Sequence, residues 1–323
     1  MSIIAAVLSC RTPLACAVAA SILSAPALAA YQYTLSDYPG APVTTFLGLN
    51  NRGEVGGTAQ GFANGAQIPF YYDVRTRQYT PIATLTGFDV TEVWNINDWG
   101  TTVGIAHSLD YSVETAFVRD SNGKYTLLPH PGLPYSEAQG INDIGVVVGE
   151  AYNADYSQSV GFIYNPADRS FTDIMPSPYT EVHGINTLGE VVGEVTLAAG
   201  GAYANSLAGS YGFYRETNGA VTLFRVNGMD TYARAINDAG VIAGEVFDSG
   251  GSATGFVTTL GDAANHRKGT TRYESVEVHL LLVPGQSQTL IQAVTEEGNL
   301  AGVTIDASGS IHGFVARRQY QLR

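Results

Sequence analysis

Cysteine is almost absent from this chain. The 323 residues contain two cysteines, Cys10 and Cys16, and both lie within the first thirty positions. The remaining chain can form no disulfide and no thiolate metal site, and it offers no cysteine nucleophile. A fold built from it must therefore be stabilised by its packed core.

Positive charge is also scarce. Sixteen Lys and Arg residues stand against 29 Asp and Glu, for a formal net charge of −13. Nucleic acids and anionic membrane surfaces attract clustered Lys and Arg, so this balance argues against both as partners. An acidic chain is compatible with a cation, a sugar or a basic protein as its ligand.

Recognisable chemistry motifs are missing. The chain has no G-x-S-x-G, no H-E-x-x-H and no P-loop, and its six histidines are scattered without metal-ligand spacing. We therefore expect no metal and no other cofactor. The acidic loops suggest bound Ca²⁺ as the alternative, but no D-x-D-x-D-G spacing supports it.

Long apolar runs are limited to the N-terminus. An apolar stretch follows Arg11 and ends in Ala27-Leu28-Ala29, which fits the A-x-A cleavage pattern of a secretory signal peptide. A lipobox around Cys10 is the alternative. We predict a signal peptide over 1–29, a single domain over 30–323, and export to the periplasm or beyond the cell. No later run is long enough to be a transmembrane segment.

What the chain has in abundance is a repeat, I-N-x-x-G-x-V-x-G. "GINDIGVVVGE" at 140–150 is the clearest copy, and six copies occur at intervals of 44 to 58 residues. The Asn position is Thr in the last copy, and the six positions are Asn50, Asn97, Asn142, Asn186, Asn237 and Thr295. Because a site is rarely needed six times, we interpret these residues as structural: Asn and the first Gly as a hairpin turn, and the second Gly as room for a neighbouring sheet.

Each repeat predicts four strands. In the third repeat these are 137–142, 146–151, 160–164 and 170–174, with a Phe on the third strand that we assign to the core between blades. The last repeat lacks its fourth strand, whereas an unmatched β-rich run, "YQYTLSDYPG", stands at the N-terminus. We therefore predict an all-β, six-bladed β-propeller with four antiparallel strands per blade, closed by the N-terminal strand joining the last blade.

These repeats resemble the bacterial extracellular HAF-repeat family, which is named for a His-Ala-Phe triplet. The I-N-x-x-G core matches, and the resemblance covers about 31–317, but the triplet here reads Thr115-Ala116-Phe117 or Val160-Gly161-Phe162. The resemblance implies export and a repeat architecture. The family has no established general activity, so the resemblance implies no catalytic residue.

Function is expected where the repeats differ. Three and five residues before each motif Asn, along the innermost strand, the residues vary and are mostly polar. Equivalent positions of a propeller ring the central channel, so these two rows predict a binding mouth. The candidate binding residues are Glu92, Trp94, Glu137, Gln139, Glu181, His183, Tyr232 and Arg234.

Two kinds of function fit these candidates. The first is a binding module for a glycan, a cation or a protein at the channel mouth, without catalysis. The alternative is an enzyme that degrades polysaccharides, most concretely a uronate lyase. In a lyase, His183 or Tyr232 would abstract the proton next to the carboxylate, and Arg234 and Gln139 would neutralise that carboxylate. A glycosidase using two of the three glutamates is less favoured.

Overall fold

The computed structural model describes residues 30–63, 65–174, 179–197, 208–259, 272–274 and 278–319. The predicted signal peptide, residues 1–29, lies outside the described residues. Within the described ranges the regular secondary structure is entirely β-strand, as predicted, and no helix in them could cross a membrane.

Twenty-five strands are formed in chain order. The first twelve are β1 (Ala30–Ser36), β2 (Val43–Leu49), β3 (Glu54–Gln60), β4 (Ile68–Asp73), β5 (Gln78–Pro81), β6 (Val90–Ile96), β7 (Thr102–His107), β8 (Glu114–Arg119), β9 (Tyr125–Leu128), β10 (Tyr135–Ile141), β11 (Val147–Tyr152) and β12 (Ser159–Asn165). The others are β13 (Ser170–Ile174), β14 (Thr180–Ile185), β15 (Val191–Leu197), β16 (Gly209–Arg215), β17 (Val221–Phe224), β18 (Asp230–Ile236), β19 (Val241–Phe247), β20 (Ala253–Thr259), β21 (Arg272–Glu274), β22 (Val278–Leu281), β23 (Gln288–Val294), β24 (Leu300–Ile305) and β25 (Ile311–Gln319).

The repeat produces antiparallel meanders, and these pack into an all-β propeller. The third repeat forms β10 to β13, each within two residues of the predicted strand at either end. Successive side chains of a strand point to opposite faces of its sheet. Side chains on both faces are buried, because neighbouring meanders stack face to face. The propeller class predicted from the sequence is therefore present.

The described strands do not divide into the six separate four-stranded sheets that the sequence predicted. The described strands form five hydrogen-bonded sheets, of which three have four strands, one has five and one has eight. The five-stranded sheet gains β21, which pairs in parallel with β17. The eight-stranded sheet arises because a single parallel bridge, Val43 with Ile311, joins β2 to β25.

The N-terminal strand pairs with the C-terminal one. All seven residues of β1 are in antiparallel register with β25, from Ala30 opposite Gln319 to Ser36 opposite Gly313. Tyr33 of β1 also lies over Phe314, with ring centroids 6.3 Å apart. The strand that the last repeat lacks is thus supplied from the other end of the chain.

The repeated Phe residues lie in the core between meanders. All six are completely buried, namely Phe70, Phe117, Phe162, Phe213, Phe256 and Phe314. Phe162 of β12 shares a cluster with Val103 and Ala116 of the preceding meander. Their assignment to the core is confirmed.

The second repeated Gly serves a different purpose from the predicted one. A Cβ on Gly149 would lie 2.0 Å from the backbone oxygen of Glu137, which is on the paired strand of the same sheet. The close approach between neighbouring meanders occurs instead two residues before the motif Asn. A Cβ on Gly140 there would lie 2.5 Å from the backbone oxygen of His183.

The motif Asn closes its own turn and also bonds the next repeat. Asn142 Oδ1 accepts from Val146 N at 2.9 Å, and Gly145 has φ 83°. Asn142 Nδ2 donates to the backbone oxygen of Asn186 at 3.0 Å, and the other four Asn residues donate to the next repeat in the same way at 2.9–3.1 Å. The repeated amide is therefore a buried link between meanders, a role that its turn position alone does not indicate.

Replacing this amide should cost stability. We expect Asn142→Ala to lower the free energy of unfolding by about 2–4 kcal/mol, because two buried hydrogen bonds are lost and their partners stay unsatisfied. Asn122→Ala, on an exposed turn, is the control and should stay within about 0.5 kcal/mol. Urea unfolding of the two variants measures the difference, and equal midpoints would contradict the linking role.

Candidate functional site

The residues three positions before each motif Asn occupy β-bulges. In all six inner strands the pairing register shifts at this position, for example between Ala138 and Gly140 around Gln139. A bulge leaves one residue without a partner across the ladder and turns its side chain away from the sheet. Here the six side chains converge on one space.

These bulged residues surround one cavity. Its volume is about 120 Å³, and it is lined by Leu47, Trp94, Asn95, Gln139, His183, Arg234 and Gln292. All four candidates from this row, Trp94, Gln139, His183 and Arg234, are thus brought together. The small residues one position later, such as Gly140 and Gly184, let the inner strands approach closely enough to keep this cavity narrow.

Three buried glutamates beside this cavity were missed from the sequence. Glu150, Glu194 and Glu245 follow the second repeated Gly and are 1%, 7% and 0% exposed. Each stands opposite a residue of the row five positions before the motif Asn, where Glu137 faces Glu150 and Glu181 faces Glu194. The signal was present, because in these three copies Glu follows the second repeated Gly, whereas the others place Thr, Ile or Val there.

The carboxyl groups beside this cavity form a connected group, which we call the acidic end. Electrostatic interactions connect its members, which are Glu92, Glu114, Glu137, Glu150, Glu181, Glu194 and Glu245. Burial first, then the charges of Glu150 and Glu114, raise the pKa of Glu137 well above its usual range. Burial also raises the pKa of Glu194 to about 9. Several of these groups therefore hold protons at neutral pH.

Gln139 and two tyrosines donate hydrogen bonds to glutamates of the acidic end. Gln139 Nε2 donates to Glu150 Oε1 at 2.6 Å, and Tyr152 Oη donates to the same oxygen at 3.4 Å. Tyr156 Oη donates to Glu114 Oε2 at 3.2 Å while its ring stacks on Tyr135 at 5.0 Å. Gln139 is thus engaged by a neighbouring carboxyl group rather than free for a ligand.

Arg234 is bonded on two sides. Its Nε donates to Glu245 Oε1 at 2.7 Å, and its Nη1 donates to His183 Nε2 at 2.7 Å. Burial lowers the pKa of Arg234, but Glu245 and Glu194 outweigh burial and raise it overall. Tyr232 lies beside this pair, with the guanidinium 5.2 Å from its ring centroid.

His183 is a neutral acceptor. It is 3% exposed, and burial together with the positive charge of Arg234 holds its pKa well below the usual range. Since a guanidinium can only donate, the imidazole nitrogen that faces it must carry a lone pair. Glu181 Oε2 lies 3.8 Å from the same nitrogen.

Glu92 and Trp94 form a separate pair at the acidic end. Trp94 Nε1 donates to Glu92 Oε2 at 3.0 Å, and His107 Nε2 lies 3.8 Å from Glu92 Oε1. Glu92 and Trp94 are only partly buried, whereas His107 is fully buried. This pair is therefore the more open part of the acidic end.

Comparison with known proteins shows similarity of fold. The β-propeller domain of the Trilobed protease from Pyrococcus furiosus, which has an open velcro topology, is similar with a TM-score of 0.50 at 9% identity, over 90% of this chain and 98% of that one. The protein YjhT is similar with a TM-score of 0.50 at 11% identity, over 88% of this chain and 100% of that one.

A weaker similarity is to a polysaccharide lyase of family PL25, an ulvan lyase, with a TM-score of 0.42 at 11% identity, over 84% of this chain and 80% of that one. No protein-family model and no curated protein matches the chain. The comparisons therefore establish the propeller fold and leave activity open.

Proposed function

We propose that this chain is a binding β-propeller that holds a positively charged ligand at the acidic end of its channel. The observation that carries the proposal is the imbalance of charge there. Seven carboxyl groups lie together, and within the described ranges Arg234 is the one guanidinium or ammonium group bonded to them. A cation entering this end would be attracted by the ionised carboxylates and could replace protons on the others.

We further propose that the propeller has six blades in a ring. In this arrangement the eight-stranded sheet contains two blades, β2 to β5 and β23 to β25 with β1. The six equivalent bulges and the single bridge between β2 and β25 support it. So do the contacts of β23 with both β18 and β2, which place the last inner strand beside the first.

Export of the protein is also a proposal. It is supported by the signal-peptide pattern of residues 1–29 and by the absence of cysteine after Cys16. A periplasmic or extracellular location would expose the acidic end to external cations.

The contacts at the acidic end do not favour the lyase alternative. Neutralising a uronate carboxylate requires free donors, whereas Arg234 is bonded to Glu245 and His183, and Gln139 is bonded to Glu150. The lone pair of His183 is likewise occupied. The surrounding carboxylates would repel an anionic sugar.

The proposal is tested by calorimetry with organic probes of opposite charge. We expect spermidine and an oligomer of glucosamine to bind, and an oligomer of galacturonate not to bind. The double variant Glu92→Gln with Glu137→Gln should bind the cationic probes about tenfold more weakly, equivalent to about 1.4 kcal/mol. Added salt should also weaken binding, because it screens the charges.

The control is Asp168→Asn, which removes an exposed carboxylate on the turn between β12 and β13. This variant should bind the cationic probes as the unmodified protein does. Binding of the galacturonate oligomer, or cation binding that is unchanged in the double variant, would refute the proposed function.

A further inference from the structure

Three side chains at the acidic end lie close enough together to bind one metal ion. One ligand atom each of Glu181, His183 and Glu194 lies within 4.8 Å of the others. Glu181 and His183 come from β14, and Glu194 comes from the paired strand β15. Glu181 and His183 are two residues apart on one strand, and Glu194 stands opposite Glu181 on the paired strand. Spacing along the chain did not reveal the group because its third member comes from that paired strand.

A second observation points to a missing ligand. Glu194 Oε2 is buried and has no hydrogen-bond partner within the structure. A buried carboxyl oxygen without a partner costs free energy, so such an atom is rarely left in place without a role. A bound cation would satisfy it.

The donor set and its surroundings indicate the class of ion. Imidazole nitrogen and carboxylate oxygen are both ligands that zinc accepts, and an open zinc site has three protein ligands with water in the fourth position. The hard cations Ca²⁺ and Mg²⁺ prefer oxygen ligands throughout. The side chain of Glu181 is 40% exposed, so the position between the three residues is open to the channel.

We infer that Glu181, His183 and Glu194 form a binding site for a divalent transition-metal ion of the zinc class. This inference rests on the proposed function, since it names one kind of cation for the acidic end.

Arg234 has a defined part in this site. Its Nη1 donates to the His183 nitrogen that faces Glu181, so the guanidinium stands at the position through which an ion would reach that nitrogen. Metal binding requires this contact to break, while the bond from Arg234 Nε to Glu245 can remain. The guanidinium therefore competes with the ion, and its hydrogen bond keeps the imidazole in the unprotonated form that a metal needs.

The test is a titration of chelator-treated, dialysed protein with ZnCl₂, followed by calorimetry. CoCl₂ serves as a second probe, because its visible absorption reports coordination by protein ligands. We expect one zinc ion per chain. His183→Gln and Glu194→Gln should each bind zinc on the order of 100-fold more weakly. Arg234→Gln should bind it more tightly, and CaCl₂ and MgCl₂ should not compete.

Asp168→Asn is the control, because it removes an exposed carboxylate on the turn between β12 and β13, outside the acidic end. It should bind zinc as the unmodified protein does. Thermal unfolding of every variant shows which ones are folded, and if His183→Gln does not fold, Glu194→Gln carries the test.

Zinc binding that persists in His183→Gln and Glu194→Gln would overturn the inference. Absence of zinc binding in the unmodified protein, or binding by Arg234→Gln alone, would overturn it as well. Such results leave the proposed function standing if spermidine still binds and loses affinity in the Glu92 and Glu137 double variant. Loss of both responses would remove both proposals.

Discussion

A chain that begins at Tyr38 should fail to form a stable propeller, whereas the chain that begins at Ala30 should be stable. Truncation removes β1, whose seven residues all pair with β25. It leaves one edge of β25 with unpaired backbone groups, and it uncovers Phe314, which Tyr33 covers. It also removes the bond from Tyr79 Oη to Ser36 Oγ at 2.8 Å.

The expected loss is comparable to the whole stability of a domain, on the order of 5–15 kcal/mol. Soluble yield and the midpoint of thermal unfolding measure it. A synthetic peptide of residues 30–37, added in excess, should restore part of the lost stability, because it can pair with the exposed edge. The substitution Gln32→Ala, at an exposed position of β1, is the control and should be nearly neutral. Equal unfolding midpoints for the two chains would show that β1 is dispensable.

The protein should lose stability as the pH rises from 6.5 to 9. Burial and neighbouring carboxylates raise the pKa of Glu137 and Glu150 in the folded state, and burial raises that of Glu194 to about 9. In the unfolded chain these groups titrate near their ordinary pKa of about 4.3. Across this window the folded protein therefore binds more protons than the unfolded chain, and the free energy of unfolding falls as the pH increases.

Below this window His183 acts in the opposite direction. Its pKa is depressed in the folded state, so it contributes stability above its ordinary pKa of about 6.5 and loses that contribution as the pH falls. Above about pH 7.5 it is neutral in both states and no longer contributes to the slope. Each of the carboxyl groups can contribute up to about 1.4 kcal/mol per pH unit. We expect a total fall of about 3–5 kcal/mol.

Glu150→Gln isolates one of these groups. The new amide oxygen can still accept from Gln139 Nε2, but the side chain no longer ionises. We expect a shallower slope and a gain of about 1–2 kcal/mol at pH 9, measured by urea unfolding at several pH values. The exposed variant Asp168→Asn should leave the slope unchanged. A stability that is flat or rising between pH 6.5 and 9 would show that these carboxyl groups are not buried as described.

Much of the fold follows from local pattern. Alternating apolar residues and the Asn-to-Gly turn determine where β10 to β13 begin and end, because strand and hairpin signals act over a few residues. Counting three residues back from each motif Asn located Trp94, Gln139, His183 and Arg234 at equivalent positions. The structure places all four around one cavity.

The site itself was predicted in part. The bulges were not expected, although they are what turns the residues of this row towards the channel. The ion-pair partner of Arg234 is Glu245 on strand β19, which lies outside the two rows that the sequence indicated. Partners across a ladder depend on register, and a bulge shifts register by one residue.

The sequence by itself determined the strand class, the repeat length, the turn residues and the charge of this protein, because each depends on neighbours along the chain. Only the tertiary structure decided which carboxyl groups meet. Glu150, Glu194 and Glu245 lie on strands that face the inner strands of their own and adjoining repeats, and their burial together raises their pKa values. That proximity depends on sheet register and on the stacking of meanders, which residues close in sequence do not encode.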